Sequence, residues 1–152
     1  MKKLVFFILA IPFLINVTAF GGDRFQEVAD ASGDVVIDNS TDLIWQKDDA
    51  DNKGTWPQAF DYCSTKTFGG YATGWRLPNQ KELQSIVNYD ATSDPAIYPK
   101  FSDTTPDHYW SSTTSRSDDD KAFYVFFRTG TMSSKDKNPD NAYIRCVRTK
   151  TQ

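Results

Sequence analysis

The chain of 152 residues holds one histidine, His108, and two cysteines, Cys63 and Cys146. So small a stock argues against a Cys/His zinc cluster, and the cysteines are far too distant for a CxxC redox pair. Neither an HExxH string nor a glycine-rich phosphate cradle occurs. Basic charge is not in excess either: the net charge is −3, which argues against nucleic acid as a partner. After residue 15 there is no long apolar run, so nothing later is expected to span a bilayer. Leucine is scarce, with only Leu43, Leu77 and Leu83 after residue 19, while aromatic, Thr and Ser residues are plentiful. That balance leans toward β structure.

What is present first is a leader. Lys2 and Lys3 precede an unbroken apolar run from Leu4 to Ile15, and Val17-Thr18-Ala19 has a small-x-small form. This reads as a secretory signal (1–19) cleaved after Ala19, with no cysteine following for a lipid to modify. Residues 20–33 read as a loose leader and 34–150 as one domain, long enough for a real core. In an oxidising compartment an even pair of cysteines is most simply one disulfide. Chain entropy would make that crosslink worth about 4–5 kcal/mol at most. The rival reading, a redox or metal pair, has no second motif behind it.

Charge is unevenly spread. Residues 20–120 carry eight basic and eighteen acidic side chains, whereas 121–152 carry seven basic and two acidic. The basic end leaves room for a local anionic ligand.

Val35-Val36-Ile37 and Leu43-Ile44-Trp45 flank a turn and predict a β-hairpin. Thr55 then caps a helix with Pro57 in its first turn. Trp56, Phe60 and Cys63 follow at helical spacing, and the helix is expected to end near Phe68-Gly69-Gly70. In Gly74-Trp75-Arg76-Leu77-Pro78 the proline holds Leu77 extended. Asn79 and Glu82 form a variant capping box, and Leu83, Ile86 and Val87 give a second helix its apolar stripe. Arg76 stands at that helix entrance, where a carboxylate or carbonyl group could meet it. Residues 90–108 predict a long irregular connection packed by Ile97, Tyr98 and Phe101. Strands are expected from Tyr109, over Ala122–Arg128 (apolar on both faces, so central), over Thr131–Ser134, and over Ala142–Arg148 as one last strand carrying Cys146.

The strings DNSTDLIWQ, TWPQAFDYC, GWRLPNQKEL, YWSST, FYVFFRTG and YIRCVR, in that order, resemble the Lcl C-terminal domain family from about Ile37 to Arg148. The resemblance implies an α+β, C-type-lectin-like fold with two helices, a mainly antiparallel twisted sheet and the Cys63–Cys146 disulfide. The fold is related to that of formylglycine-generating enzymes. It marks Trp45, Trp56, Trp75, Arg76, Pro78, Glu82, Trp110 and Arg145 as fold-signature positions. It further implies a bacterial module that is secreted, periplasmic or on the cell surface, with adhesion or ligand binding as its role. Calcium-dependent sugar binders of that fold hold Trp-Asn-Asp where this chain has Tyr143-Ile144-Arg145, so binding without a metal is implied.

No catalytic set, cofactor or metal site is read from the residues. His108 is a lone loop histidine, Asp118-Asp119-Asp120 a solvated run, and Asp49-Ala50-Asp51-Asn52-Lys53 lacks the ligands of an EF-hand. The sharp expectation is a polyanionic glycan held by Lys135, Lys137, Arg148 and Lys150, with Tyr98 and Tyr109 as exposed stacking surfaces. Against it, Arg145 pairs with Asp38 or Asp42 and the lysines only solubilise. Two other roles remain: assembly with a protein partner through the 90–120 region, and an enzyme of unassigned chemistry.

Overall fold

The computed structural model describes residues 23–30, 34–48, 52–101, 103–138 and 141–151. The expected signal segment, the Asp49–Asp51 run and Pro139-Asp140 lie outside them.

The hairpin forms as expected. Strand β2 (Val35–Asp38) pairs antiparallel with β3 (Leu43–Gln46), Val36 opposite Trp45, around a turn in which Asp42 takes a left-handed φ of 55°. Aspartate tolerates that geometry better than most residues. Strand β1 (Phe25–Val28) pairs with β2, and a last strand, Val147–Thr149, pairs with β3. Alternation along this four-stranded sheet sends Val36, Trp45 and Val147 into one core, and Val35 and Ile44 into another. A sheet covered on both faces needs apolar residues at successive positions, and Leu43-Ile44-Trp45 supplies them.

The described part of the leader is therefore not loose. Phe25 is buried, with its ring 4.9 Å from that of Tyr98 and 5.4 Å from that of Phe101. Arg24 clamps Asp38 through Nε and Nη2, at 3.0 and 2.8 Å. One aromatic anchor and one ion pair hold a strand that polar composition hid.

A second sheet contains β4 (Lys53–Gly54), β5 (His108–Thr114), β6 (Lys121–Phe126), β7 (Thr131–Asp136) and β8 (Ala142–Tyr143). Its order is β4-β8-β5-β6-β7, antiparallel except for the β5–β8 pair. The expected last strand Ala142–Arg148 is thus two strands in two sheets: β8 in this one, and β9 (Val147–Thr149) in the other. Residues 144–146 carry the chain across, and Cys146 joins Cys63 at a sequence separation of 83.

Helix α1 spans Trp56–Thr65, with Gln58 Oε1 accepting from Thr55 N–H at 2.9 Å and Ala59 and Cys63 buried. It stops short of the predicted Gly69-Gly70. Ser64 and Thr65 hydroxyls bond back to carbonyls of the last turn, and Lys66 turns extended. The chain then lays Gly69 (φ 58°) so close to Val35 that a Cβ there would meet Val35 Cγ1 at 2.7 Å. Helix α2 is short, Gln80–Ser85, and carries the expected capping box: Asn79 Oδ1 accepts from Glu82 N–H, and Glu82 Oε2 from Asn79 N–H. Ile86 and Val87 are buried just past its end, where Val87 bridges to Ile97. The long connection packs as predicted on Ile97, Phe101 and half-buried Tyr98.

Asp38 and Glu82 make the fold acid-sensitive. Burial opposes the ionisation of each, but Arg24 and Ser40 N–H at Asp38, and Arg76 and Asn79 N–H at Glu82, outweigh it. Both carboxyls lie below their usual range when folded, so the unfolded chain takes up protons first. Their stabilisation is complete above the ordinary carboxylate pKa, about 4, and is lost as pH falls through the lower folded values. The expected result is a urea midpoint level from neutrality to about pH 5 and declining below pH 4, with a shallower decline in Glu82→Gln. A midpoint unchanged down to pH 3 would contradict this.

Candidate functional site

The four cations expected to cluster do not share one surface element. Lys135 lies on β7, an edge of the five-stranded sheet, and Lys137 just beyond it; Arg148 lies on β9 of the other sheet. Arg148 is 2% exposed, with its guanidinium carbon 4.3 Å from the centroid of the Tyr71 ring. It does not face a surface polymer, because on β9 it stands opposite Ile44 on the side of the second core, against the Tyr71 ring. Lys150 is exposed and tied to the fold through its backbone N–H to Asp42 O. Tyr109 is wholly buried against Phe127 and Tyr143, so it is core and not a stacking surface. Tyr98 is half-buried between Phe25 and Arg24.

Arg145 is completely buried, and its expected acids are not its partners: Asp38 belongs to Arg24. Instead the guanidinium donates to Gln46 O, Lys47 O and Thr104 Oγ1, between the rings of Phe101 and Tyr109. Arg76 meets Glu82 in a two-bond fork at 2.8 and 2.7 Å, as a helix-entrance arginine should. The Trp75–Pro78 string is docked on both sheets. Arg76 exchanges backbone bonds with Val147, and Pro78 O accepts from Ser112 N–H. Trp45, Trp75 and Trp110 are core, and Trp56 is half-buried with its Nε1–H on Ser111 O.

One face of the five-stranded sheet, buried where Trp110 and Ala122 join the second core and half-open toward His108, Phe126 and β7, gathers a different set. His108 lies opposite Phe126, Trp110 opposite Tyr124, and Ala122 opposite Lys135, so these side chains share a face. His108 stacks on Phe126 at 4.5 Å and meets Tyr124 edge-on at 4.5 Å. All three are half-buried, and Thr131 and Ser133 stand exposed beside them on β7. Lys137 Nζ lies 4.2 Å from the centroid of the Trp56 ring, and Lys135 Nζ 5.6 Å from that of Trp110. Lys137 also bonds Thr114 Oγ1 and Asp119 O, and Lys135 bonds Asn141 O. At the other end Asp107 joins His108 Nδ1 (2.8 Å) to Lys53 Nζ (3.0 Å). Burial works against the Asp107 charge, but the His108 backbone N–H and Lys53 prevail and hold its carboxyl below the usual range.

Sequence reasoning missed this shelf because β6 reads as apolar on both sides. The available signal was its neighbour: Thr131, Ser133 and Lys135 on β7 are polar at alternate positions, so the face they share with β6 sees water. His108 is a strand residue, not a loop residue. Among the described residues, no group of three or more His, Cys, Asp or Glu converges as a metal site, and no helix is long and apolar enough to cross a membrane.

The class defined by this architecture is a disulfide-tied α+β domain of two sheets and two short helices. The family model of the Lcl C-terminal domain matches residues 34–148, and the chain belongs to that family. A search of curated proteins found no match.

Proposed function

We propose that the protein is a non-catalytic adhesion module that binds acidic glycans, without calcium, on the half-open part of its five-stranded sheet around His108, Tyr124 and Phe126. The carrying observation is the half-exposed stack of His108, Phe126 and Tyr124 on the same sheet face as Lys135. Sugar rings present CH faces that pack on aromatic rings, and sulfate or carboxylate groups meet ammonium groups in charge-assisted contacts. Lys135 and Lys137 keep the role expected of them; Tyr124, Phe126 and His108 replace Tyr98, Tyr109, Arg148 and Lys150. The Cys63–Cys146 bond supports an oxidising location outside the cytoplasm, consistent with the signal-like leader. A C-type-lectin-like ancestry is part of the same proposal.

A sulfated polymer column tests it. Retention is expected at low salt, to fall as salt approaches physiological strength, and to ignore a chelator. Tyr124→Ala should weaken binding about tenfold through loss of one stacking contact, and Lys135→Ala/Lys137→Ala should flatten the salt dependence. No retention at low salt, or retention that a chelator abolishes, would overturn the proposal.

A further inference from the structure

A second cleft, away from the aromatic shelf, lies between the 88–96 segment and the turn that joins β6 to β7. It is open-sided, about 300 Å³ in volume, and lined by Asn88, Tyr89, Ser93, Asp94, Arg128 and Thr129 among others. Tyr89 is 66% exposed, more than any other large apolar or aromatic side chain among the described residues. The Tyr89 ring therefore lies open to a ligand beside a polar hollow.

The cleft is built, not incidental. Ala96 N–H donates to Phe127 O at 2.6 Å and Asn88 N–H to Ala96 O at 3.2 Å, stitching the two walls together. Gly130 takes a φ of 73°, and a Cβ there would meet Val87 Cγ1 at 2.6 Å and Tyr89 Cε1 at 3.5 Å. Glycine is what lets the turn close on Val87, and this brings it into ordinary contact distance of the Tyr89 ring. The ring is oriented by Gln84 Nε2, which donates to its hydroxyl at 2.9 Å.

The polar groups are mixed in sign. Arg128 Nη1 stands 3.5 Å from Asp94 Oδ2, with both side chains about half exposed, so neither charge is consumed by burial. Asn88 spends its carboxamide oxygen on Asp90 N–H, which leaves its nitrogen to donate. Ser93 and Thr129 add hydroxyls. A guanidinium and an amide donate, and a carboxylate accepts. A sugar hydroxyl does both at once, so it can bridge such groups. Because the cation is matched by its own acid, the cleft has no excess charge with which to select a polyanion.

We infer that this cleft binds one hexopyranose unit of a neutral glycan, its CH face on Tyr89 and its hydroxyls between Arg128, Asp94 and Asn88. The volume is at the lower end of the range for small-ligand pockets, about 300–1,000 Å³, and suits a single ring. The site is independent of the acidic-glycan face, and each stands or falls alone.

The test is amide chemical-shift mapping on ¹⁵N-labelled protein titrated with methyl β-glucopyranoside, methyl β-galactopyranoside and methyl α-mannopyranoside. At least one should shift the amides of Asn88, Tyr89, Ser93, Asp94 and Thr129 in a saturable way. Tyr89→Ala should weaken that binding about tenfold, and Tyr89→Phe should retain most of it. The ring is largely in solvent, so neither change should unfold the chain, and unchanged amide dispersion elsewhere would show this. Retention on the sulfated polymer should be the same in Tyr89→Ala as in the parent, which separates this site from the sheet face. Silence with all three sugars, shifts centred elsewhere, or full binding by Tyr89→Ala would overturn the inference.

Discussion

The Cys63→Ala/Cys146→Ala double variant is expected to lose about 4–5 kcal/mol of unfolding free energy, the largest effect of any change considered for this chain. The crosslink spans 83 positions, so in the unfolded chain it removes the entropy of a long loop. Domains of this size hold a net stability of about 5–15 kcal/mol. The bond is therefore roughly a quarter or more of the total. Alanine is the right replacement, because both sulfurs are in the core and a serine hydroxyl would be buried there without an assured partner. Urea titration measures the change directly. The slope should also rise, since an uncrosslinked denatured chain exposes more surface. A loss under about 1 kcal/mol would mean that the closed loop keeps its structure when the domain unfolds.

Arg145→Met is expected to cost about 3 kcal/mol, although the new side chain is apolar and enters an apolar surround. The reason is what it leaves behind. Gln46 O, Lys47 O and Thr104 Oγ1 each accept from the guanidinium, and the Gln46 and Thr104 acceptors are buried beside the sheet-to-sheet crossing while Lys47 O is half-buried. Stranded acceptors carry the full desolvation penalty. Arg145→Lys should recover only part of the loss, because an ammonium is a point donor and the three acceptors are arranged for a flat fork. Thermal or urea unfolding of the two variants decides it. Equal stability of Arg145→Met and the parent would show the fork to be dispensable.

Local order was legible wherever one residue's chemistry settles the backbone. The hairpin and the Asn79–Glu82 box belong to this kind; Arg76 was legible at the helix entrance without its partner Glu82, and the Cys63–Cys146 bond was legible because the chain has only two cysteines. Long-range choices were not. Ala142–Arg148 is a plausible single strand by composition, and nothing local says that residues 144–146 leave one sheet for another. That crossing buries both arginines, Arg145 against Phe101 and Tyr109 in one core and Arg148 against Tyr71 beside the other, whereas a single half-exposed strand would have left one of them in water. Tyr109 failed for the same reason: its burial comes from Phe127 and Tyr143, distant in sequence. Phe25 shows the reverse case, an aromatic in a polar leader whose partners at 98 and 101 could not be named in advance. The aromatic shelf of His108, Tyr124 and Phe126 and the Tyr89 cleft both depend on which part of β6 and which end of its turn remain open, and that is set by the sheet order.

The crossing at residues 142–148 also bears on the order of events during synthesis. This stretch pairs with β4 and β5 through Ala142–Tyr143, with β3 through Val147–Thr149, and with α1 through Cys146. Until it leaves the ribosome neither sheet has its full set of strands, and the helix has no sulfur to bond. Contacts this distant in sequence form slowly, after chain closure. The nascent domain thus stays open until residues 142–149 have been made.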